Sequence, residues 1–302
     1  MTQPDSNLSA TLPLMQEVSQ QVYPASTLYV VGTPIGNAAD IGLRALNVLS
    51  LVDAVACEDT RNTAHLLARY GISKELIPAH EHNEREAAEK LIRRLRGGAR
   101  IALVSDAGTP AISDPGARIV DAVHAAGLRV MPVPGASAVI GALSASGLVN
   151  DRFHFVGFLP AKAKQREAAL VELRKLPATL VFYEAPHRIV ETVDALHAVL
   201  GAERQIVFAR ELTKLFEEIH RCRLSDAAAW LAADAHHQKG EFVIVVEGAP
   251  AAGSAEDAEA ERILAILLEE CPVKQAASLA ARITGQKKNA LYDLALRMKE
   301  QG

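Results

Sequence analysis

Aromatic residues are scarce, at 4% of the chain. A core here must therefore be built from Ala, Val, Leu and Ile, which suits the doubly covered strands of a parallel α/β sheet. A basic excess is also missing. The formal net charge is -4, so there is no global positive field, and a nucleic-acid partner would be met by local patches or by shape. Cysteine is limited to Cys57, Cys222 and Cys271, scattered without metal or redox spacing. That argues against a disulfide scaffold and fits a reducing compartment. No apolar run is long enough to span a membrane, and Met1 to Pro24 lacks the basic stretch and apolar core of a signal peptide. No membrane association and a cytoplasmic location are expected. Internal repeats and long low-complexity tracts are absent too.

What the chain does have is 302 residues, 49% of them hydrophobic, enough for two ordinary domains. After a loose tail over 1–24, short apolar strands alternate with helical patterns. Strands are expected at 27–31, 54–57, 75–78, 101–104 and 129–133, and helices at 43–52, 60–70, 84–96 and 117–126. This rhythm predicts an α/β fold with a parallel sheet covered on both faces. A small-residue helix opens at Pro134-Gly-Ala-Ser137 and stops near Gly147. From Asp151 onward strands begin to follow one another directly (206–209, then 218–223, later 241–246), so the second sheet is expected to be mixed. A Gly/Ala/Ser/Glu-rich linker over 248–257 leads into helical sequence. The expected organisation is a flexible tail (1–24), an N-terminal α/β domain (25–147), a C-terminal α/β domain (148–248) and a helical extension (258–302). In the extension, 274–283 and 287–299, broken at Thr284-Gly285, have the size of a helix-turn-helix.

The densest turn chemistry is Ser105 to Gly116, SDAGTPAISDPG, between an apolar strand and a helix. Two prolines, two glycines, two aspartates and two serines exceed what a plain crossover needs. Gly32-Thr-Pro-Ile-Gly-Asn37 and Pro134-Gly-Ala-Ser137 follow two other strands. The first of these has no P-loop lysine and is not G-x-G-x-x-G, so phosphate or dinucleotide cradling is unsupported there. Parallel strands share a direction, which places all three loops on one sheet edge, where open α/β sheets bind ligands. Cys57-Glu-Asp-Thr-Arg61 ends the second strand: Asp59 or Thr60 reads first as a helix cap, and the alternative is a carboxylate facing the same cleft. Cys57 reads as a small buried residue. Tyr183-Glu-Ala-Pro-His-Arg188 and Arg210-Glu-Leu-Thr-Lys214 gather polar groups at strand ends of the second domain. His80 and His82 lack a third ligand at sensible spacing, so no metal is expected. Basic patches lie at 161–166 and 285–289.

In this order, LYVVGTPIGN, ACEDTR, SDAGTP-x-ISDPG, PGASA, GFLP, FYEAPHR, RELTK and GEFVIVVEG resemble the tetrapyrrole-methylase-like superfamily of S-adenosylmethionine-dependent methyltransferases. More narrowly they are similar to the bacterial ribosomal RNA small-subunit methyltransferase I family, as is the tail ending KKNALYDLAL. The first loop departs from the superfamily's usual G-x-G-P-G-D at Pro34, Ile35 and Asn37. The resemblance implies two α/β domains with S-adenosylmethionine between them and a homodimer. It also implies 2′-O-methylation of a cytidine ribose in the decoding region of 16S rRNA, on the small ribosomal subunit. By motif position it implies cofactor contacts at Pro34, Ile35, Gly36, Asp106, Ala107, Gly108, Thr109, Ile112, Ser137 and Ala138, and at Tyr183, Glu184, Ala185, Glu211 and Leu212. A base for the ribose hydroxyl would come from Glu58, Asp59, Glu184 or Lys214. Arg61, Lys162, Lys164, Arg188, Lys287 and Lys288 are expected to meet RNA phosphates. The rival readings are a methyltransferase of a small, tetrapyrrole-like metabolite and a non-catalytic ribosome-assembly factor.

Overall fold

The computed structural model describes residues 11–250 and 255–300. Its first sheet is parallel throughout, in the order β3-β2-β4-β1-β5, with β1 at Thr27–Val31, β2 at Ala54–Cys57, β3 at Glu75–Pro78, β4 at Arg100–Val104 and β5 at Arg129–Val133. Side chains alternate across a strand, and both faces of this one are apolar. Leu28, Ala54, Ala56, Ile101 and Leu103 pack under helices α4 (Glu84–Arg96) and α5 (Ala117–Ala125). Tyr29, Val31, Val55, Ala102 and Val104 pack under α2 (Leu43–Leu51) and α3 (Thr60–Arg69) on the other face.

The expectation of a loose tail over 1–24 is corrected for its second half. Helix α1 occupies Thr11–Gln20. Val18 is buried, its carbonyl accepts the Tyr23 hydroxyl, and the Tyr23 carbonyl accepts Arg100 Nε. Apolar and polar residues are evenly mixed in this helix, and one buried valine among its described side chains is too faint a period to read. Residues 1–10 lie outside the described residues.

The second sheet is mixed, in the order β6-β7-β10-β8-β9, with β6 at Phe153–Phe158, β7 at Thr179–Glu184, β8 at Gln205–Arg210, β9 at Glu218–Arg223 and β10 at Phe242–Val246. β6 and β7 are parallel and the other pairs antiparallel. One face packs on α7 (Ala163–Leu173), α8 (Ile189–Leu200) and α9 (Leu224–Ala233). The other face is covered from the first half of the chain: Val139 and Ala142 of α6 (Ala138–Ser146) pack on Val181, Val207, Ala209, Val243 and Val245. α6 is thus the joint between the two halves.

Beyond residue 254 come α10 (Ala255–Glu270), α11 (Val273–Thr284) and α12 (Lys288–Glu300). They bury Ala260, Leu264, Ala276, Ala277, Ala280, Leu291 and Ala295 against one another, and the chain turns between α11 and α12 at Thr284-Gly285. Helix α10 begins inside the stretch expected as linker. Among the described residues no helix is long and apolar enough to cross a membrane.

Candidate active site between the two sheets

Three strand-to-helix loops meet at the carboxyl edge of the first sheet, and their backbones are locked together. Thr33 and Gly108 exchange both hydrogen bonds of an antiparallel bridge, at 2.8 and 3.1 Å. The Thr109 hydroxyl donates to the Ala136 carbonyl at 3.2 Å. Gly32 and Gly135 approach so closely that a Cβ at 135 would stand 2.6 Å from the Gly32 carbonyl oxygen. Only glycine permits that approach.

The second sheet turns its own edge toward these loops. β7 ends and β10 begins side by side, with Glu184 paired to Phe242, and Phe242 is paired to Arg210 at the end of β8. The loop after β8 then reaches back. The Asn37 N–H donates to the Thr213 hydroxyl at 3.1 Å, and Gly36 packs against Lys214 and Thr213. A cavity of about 330 Å³ lies between the two edges, within the size range of small-molecule sites. Ile35, Ala107 to Thr109, Ile112 to Asp114, Ser137 and Ala138 line it from the first half. Phe158, Tyr183 to Pro186, Ala209, Leu212 and Glu241 to Val243 line it from the second. The Tyr183 ring meets Phe155 and Phe158 edge-on, with centroids 5.0 and 5.6 Å apart. Apolar walls, exposed backbone polar groups and three cavity carboxylates with little basic charge make up a lining suited to a flat aromatic ring joined to a positively charged centre.

The ionisable groups around this cavity differ in how far they are committed. Glu184 is buried; its carboxylate accepts the Thr192 hydroxyl at 2.6 Å and the Ala185 N–H at 2.9 Å, and Arg188 Nε lies 3.3 Å away. Asp59 caps α3 through the Arg61 N–H at 2.8 Å. Hydrogen bonds from the Arg61 side chain and backbone lower its pKa to about 2. Lys214 bridges Glu211 and Glu241 at 2.9 and 3.1 Å. Burial pulls its ammonium down, but those two partners outweigh it and leave the pKa raised. Glu58, at the end of β2, is pushed up by burial and then by the charges of Asp106, Asp114 and Glu81. Burial also pushes up the thiol of Cys57, an inert core residue.

A family model described as Tetrapyrrole (Corrin/Porphyrin) Methylases matches residues 27–228, and one described as the RsmI C-terminal HTH domain matches 254–299. The Pseudomonas aeruginosa protein named ribosomal RNA small subunit methyltransferase I is 52% identical over 90% of this chain and 97% of its own. Its Escherichia coli O157:H7 namesake is 51% identical over 91% and 96%. The chain belongs to the ribosomal RNA small subunit methyltransferase I family. Solved structures of the methyltransferase CobJ (TM-score 0.56, 20% identity, 74% of this chain and 94% of that one) and of uroporphyrin-III-C-methyltransferase from Thermus thermophilus (0.52, 21%, 74% and 94%) share the fold.

Against this family background, most residues expected at the cofactor line the cavity: Ile35, Ala107, Gly108, Thr109, Ile112, Ser137, Ala138, Tyr183, Glu184, Ala185 and Leu212. Four do not. Pro34 is buried behind its loop. Gly36 abuts Lys214. Glu211 turns its carboxylate to the Glu241 N–H and Lys214. Asp106 turns away from the cavity, accepting the Asp59 N–H at 3.2 Å and Asn62 Nδ2 at 2.7 Å. Of the residues expected at RNA, Arg61, Lys162, Lys164, Lys287 and Lys288 are exposed. Arg188 is committed inward, donating to the Leu159 carbonyl at 2.6 Å beside Glu184. Ser113, Asp114, Phe158, Pro186, Ala209, Glu241, Phe242 and Val243 line the cavity without having been singled out. Several sit inside the matched blocks SDAGTP-x-ISDPG, GFLP and GEFVIVVEG, so the signal was present but not resolved to the residue.

Proposed function

We propose that this methyltransferase transfers a methyl group from S-adenosylmethionine to the 2′-oxygen of a cytidine ribose in the decoding region of 16S rRNA. The observation that carries this reading is one cavity walled by both sheets, in a chain that continues into a helical extension shared with rRNA methyltransferases. The cofactor would lie on the backbone of Ala107 to Thr109 and against Ile35, Ile112, Ala138 and Leu212, with Tyr183 and Phe158 closing the aromatic side. When bound, it supplies an electrophilic methyl on a sulfonium centre. Asp114 and Glu241 place negative charge in the same cavity, which favours a cation there. The locked loops hold their groups in place without rearrangement, and alignment of this kind can contribute several kcal/mol to a displacement, about 7 or more at the upper end. Phe242, buried in the cavity wall, keeps that side apolar.

The exposed cations Arg61, Lys162, Lys164, Lys287 and Lys288 would engage RNA phosphates, positioning the substrate rather than reading its sequence. We keep the division into units over 25–147, 148–248 and 258–302, with α6 as the joint. We read the protein as a cytoplasmic homodimer. The open edge strand β6, with Phe153 exposed on it and Val149 exposed just before it, is the surface we expect the dimer to cover.

The test incubates purified protein and tritiated S-adenosylmethionine with small ribosomal subunits, free 16S rRNA or tetrapyrrole precursors. Label recovered as 2′-O-methylcytidine supports the reading. Label on a tetrapyrrole overturns it in favour of a metabolite enzyme, and label on nothing in favour of an assembly factor.

A further inference from the structure

We propose that Phe216, at the tip of the loop between β8 and β9, is a stacking platform for a nucleobase of the RNA strand whose ribose enters the cavity. This rests on the RNA substrate argued above.

Seven phenylalanines serve the whole chain, yet Phe216 is 65% exposed and Leu215 beside it 89%. Ile219, on the open edge strand β9, extends the patch. Among the described residues no aromatic ring packs on Phe216. Single exposed apolar residues need no explanation, but two adjacent ones on a loop held rigid do.

Both halves of the chain hold this loop. Glu211 and Thr213 take left-handed backbone conformations, at φ +51° and +65°. That is an outlier for a β-branched threonine, and strain of this kind gathers at functional sites. The Thr213 N–H donates to the Glu217 carboxylate, and the Lys214 and Glu217 N–H groups donate to the Glu211 and Lys214 carbonyls at 3.0 and 3.1 Å. The Glu211 N–H donates to the Glu241 carbonyl at 3.0 Å, and the Glu211 carboxylate accepts the Glu241 N–H at 2.9 Å. Gly240 makes room for that carboxylate, since a Cβ there would stand 2.5 Å from the Glu211 side chain. From the first half, Asn37 bonds to Thr213 and Gly36 packs on Lys214. A segment fastened this way cannot turn its apolar tip inward.

The tip stands at the cavity mouth. Leu212 lines the cavity, and four residues of chain keep the Phe216 Cα within about 14 Å of the Leu212 Cα. Lys214 packs on Gly36, next to Ile35 in the facing wall. A ribose that enters a preformed cavity leaves the regular stack, and its neighbours lose the base they packed on. Proteins that bind single-stranded RNA fill such gaps with an aromatic face. Charge favours a base over a phosphate here. Lys214 is held by Glu211 and Glu241, and Arg210 by Glu218, which leaves the tip without a free cation. A second copy of the chain seated here would stand across the mouth that the RNA enters. The dimer surface proposed above lies instead on β6, the opposite edge of the same sheet.

Full-length Phe216→Ala, Phe216→Leu and Phe216→Trp are compared with the wild type. Affinity for small ribosomal subunits and for free 16S rRNA is read by filter binding over a range of salt. Cofactor affinity is read by calorimetry and oligomeric state by sedimentation. Phe216→Ala should bind RNA at least about fivefold more weakly. Its salt slope should be unchanged, because no phosphate contact is lost, and its S-adenosylmethionine affinity and oligomeric state should match wild type. Phe216→Leu, apolar but not flat, should be as weak, whereas Phe216→Trp should bind within about threefold of wild type. The new tryptophan should also be quenched by RNA more strongly than Trp230 is in the wild type. A loss below about fivefold in Phe216→Ala, a leucine as good as the aromatic residues, or a tryptophan blind to RNA overturns the proposal. Dissociation of the wild-type oligomer by Phe216→Ala also overturns it, in favour of a contact between copies. Should Phe216→Ala not fold, the leucine and tryptophan variants decide by the same criteria. A wild type that binds and methylates neither RNA counts against the proposed function. A wild type that methylates RNA beside a Phe216→Ala protein that binds it normally counts against this assignment alone.

Discussion

The contact between Gly32 and Gly135 makes the sharpest structural prediction, because the atoms in conflict are all backbone. An alanine at 135 would place its Cβ 2.6 Å from the Gly32 carbonyl oxygen and 2.7 Å from the carbonyl carbon, where ordinary contact begins at 3.4 Å. No side chain can swing aside, so the loops after β1 and β5 must part by roughly 0.8 Å, the gap between those distances. Overpacking of this kind costs about 1–3 kcal/mol and lowers the melting temperature by roughly 2–10 °C. Ile35 and Ser137, on the two loops forced apart, both line the cavity. A displacement near 1 Å at such a site can cost about 100-fold in rate, and we expect S-adenosylmethionine affinity to fall at least about tenfold by calorimetry. Gly32→Ala should do the same, and the double variant should cost less than the sum, because one separation relieves both clashes. Gly141→Ala is the control: its Cβ meets nothing within 4 Å on α6, and the better helix former should be neutral or stabilising by up to about 1 kcal/mol. A Gly135→Ala protein with unchanged melting and unchanged affinity would refute the view that the loops form one rigid wall.

Thr192→Val should destabilise by about 1–3 kcal/mol in chemical denaturation, because the buried Glu184 carboxylate loses the 2.6 Å hydroxyl it accepts; an unaffected midpoint would contradict that network. Asp59 should titrate near pH 2 by NMR, and Arg61→Ala should return it toward the ordinary aspartate range. Because its folded pKa is depressed, its contribution to stability is present above the unfolded value and lost as pH falls toward 2; an Asp59 midpoint indifferent to Arg61 would sink the assignment. Lys287→Ala with Lys288→Ala should leave cofactor affinity unchanged and reduce the salt slope of RNA binding by about two. An unchanged slope would remove the extension from the RNA interface.

The first sheet was legible because buried parallel strands are continuous apolar runs and their loops carry conspicuous turn residues. The shared edge of the loops at 32–37, 105–116 and 134–137 followed from direction alone. The second sheet was legible only as mixed. β10 is last in the sequence yet lies between β7 and β8, and no local pattern records such an insertion. Individual carboxylates were hardest to place, because a carboxylate at a strand end turns toward whichever donors are left unsatisfied nearby. At Asp106 those were the Asp59 N–H and Asn62. At Glu184 they were Thr192 and the start of the next helix. Both residues were read as ligand contacts from position in the sequence, and only Glu184 reaches the cavity.

The same geometry bears on how the two halves cooperate. If the cavity opened by a hinge between them, contacts across the gap would be few and confined to one side. Instead, Asn37 bonds to Thr213, Gly36 abuts Lys214, Ser113 packs on Gly157, and α6 lies across a whole face of the second sheet. The last of these is the largest. Val139 and Ala142 share one apolar cluster with Val181, Val207, Val243 and Val245, and each buried valine contributes about 1.5 kcal/mol or more. Opening the halves about the cavity would expose that cluster, a cost no single ligand contact offsets. The site is therefore preformed, and a reacting nucleotide must come to it with its ribose already accessible. On the proposed reading, the exposed cations outside the cavity and the helical extension would hold a large substrate in place without disturbing the wall that would align the methyl donor.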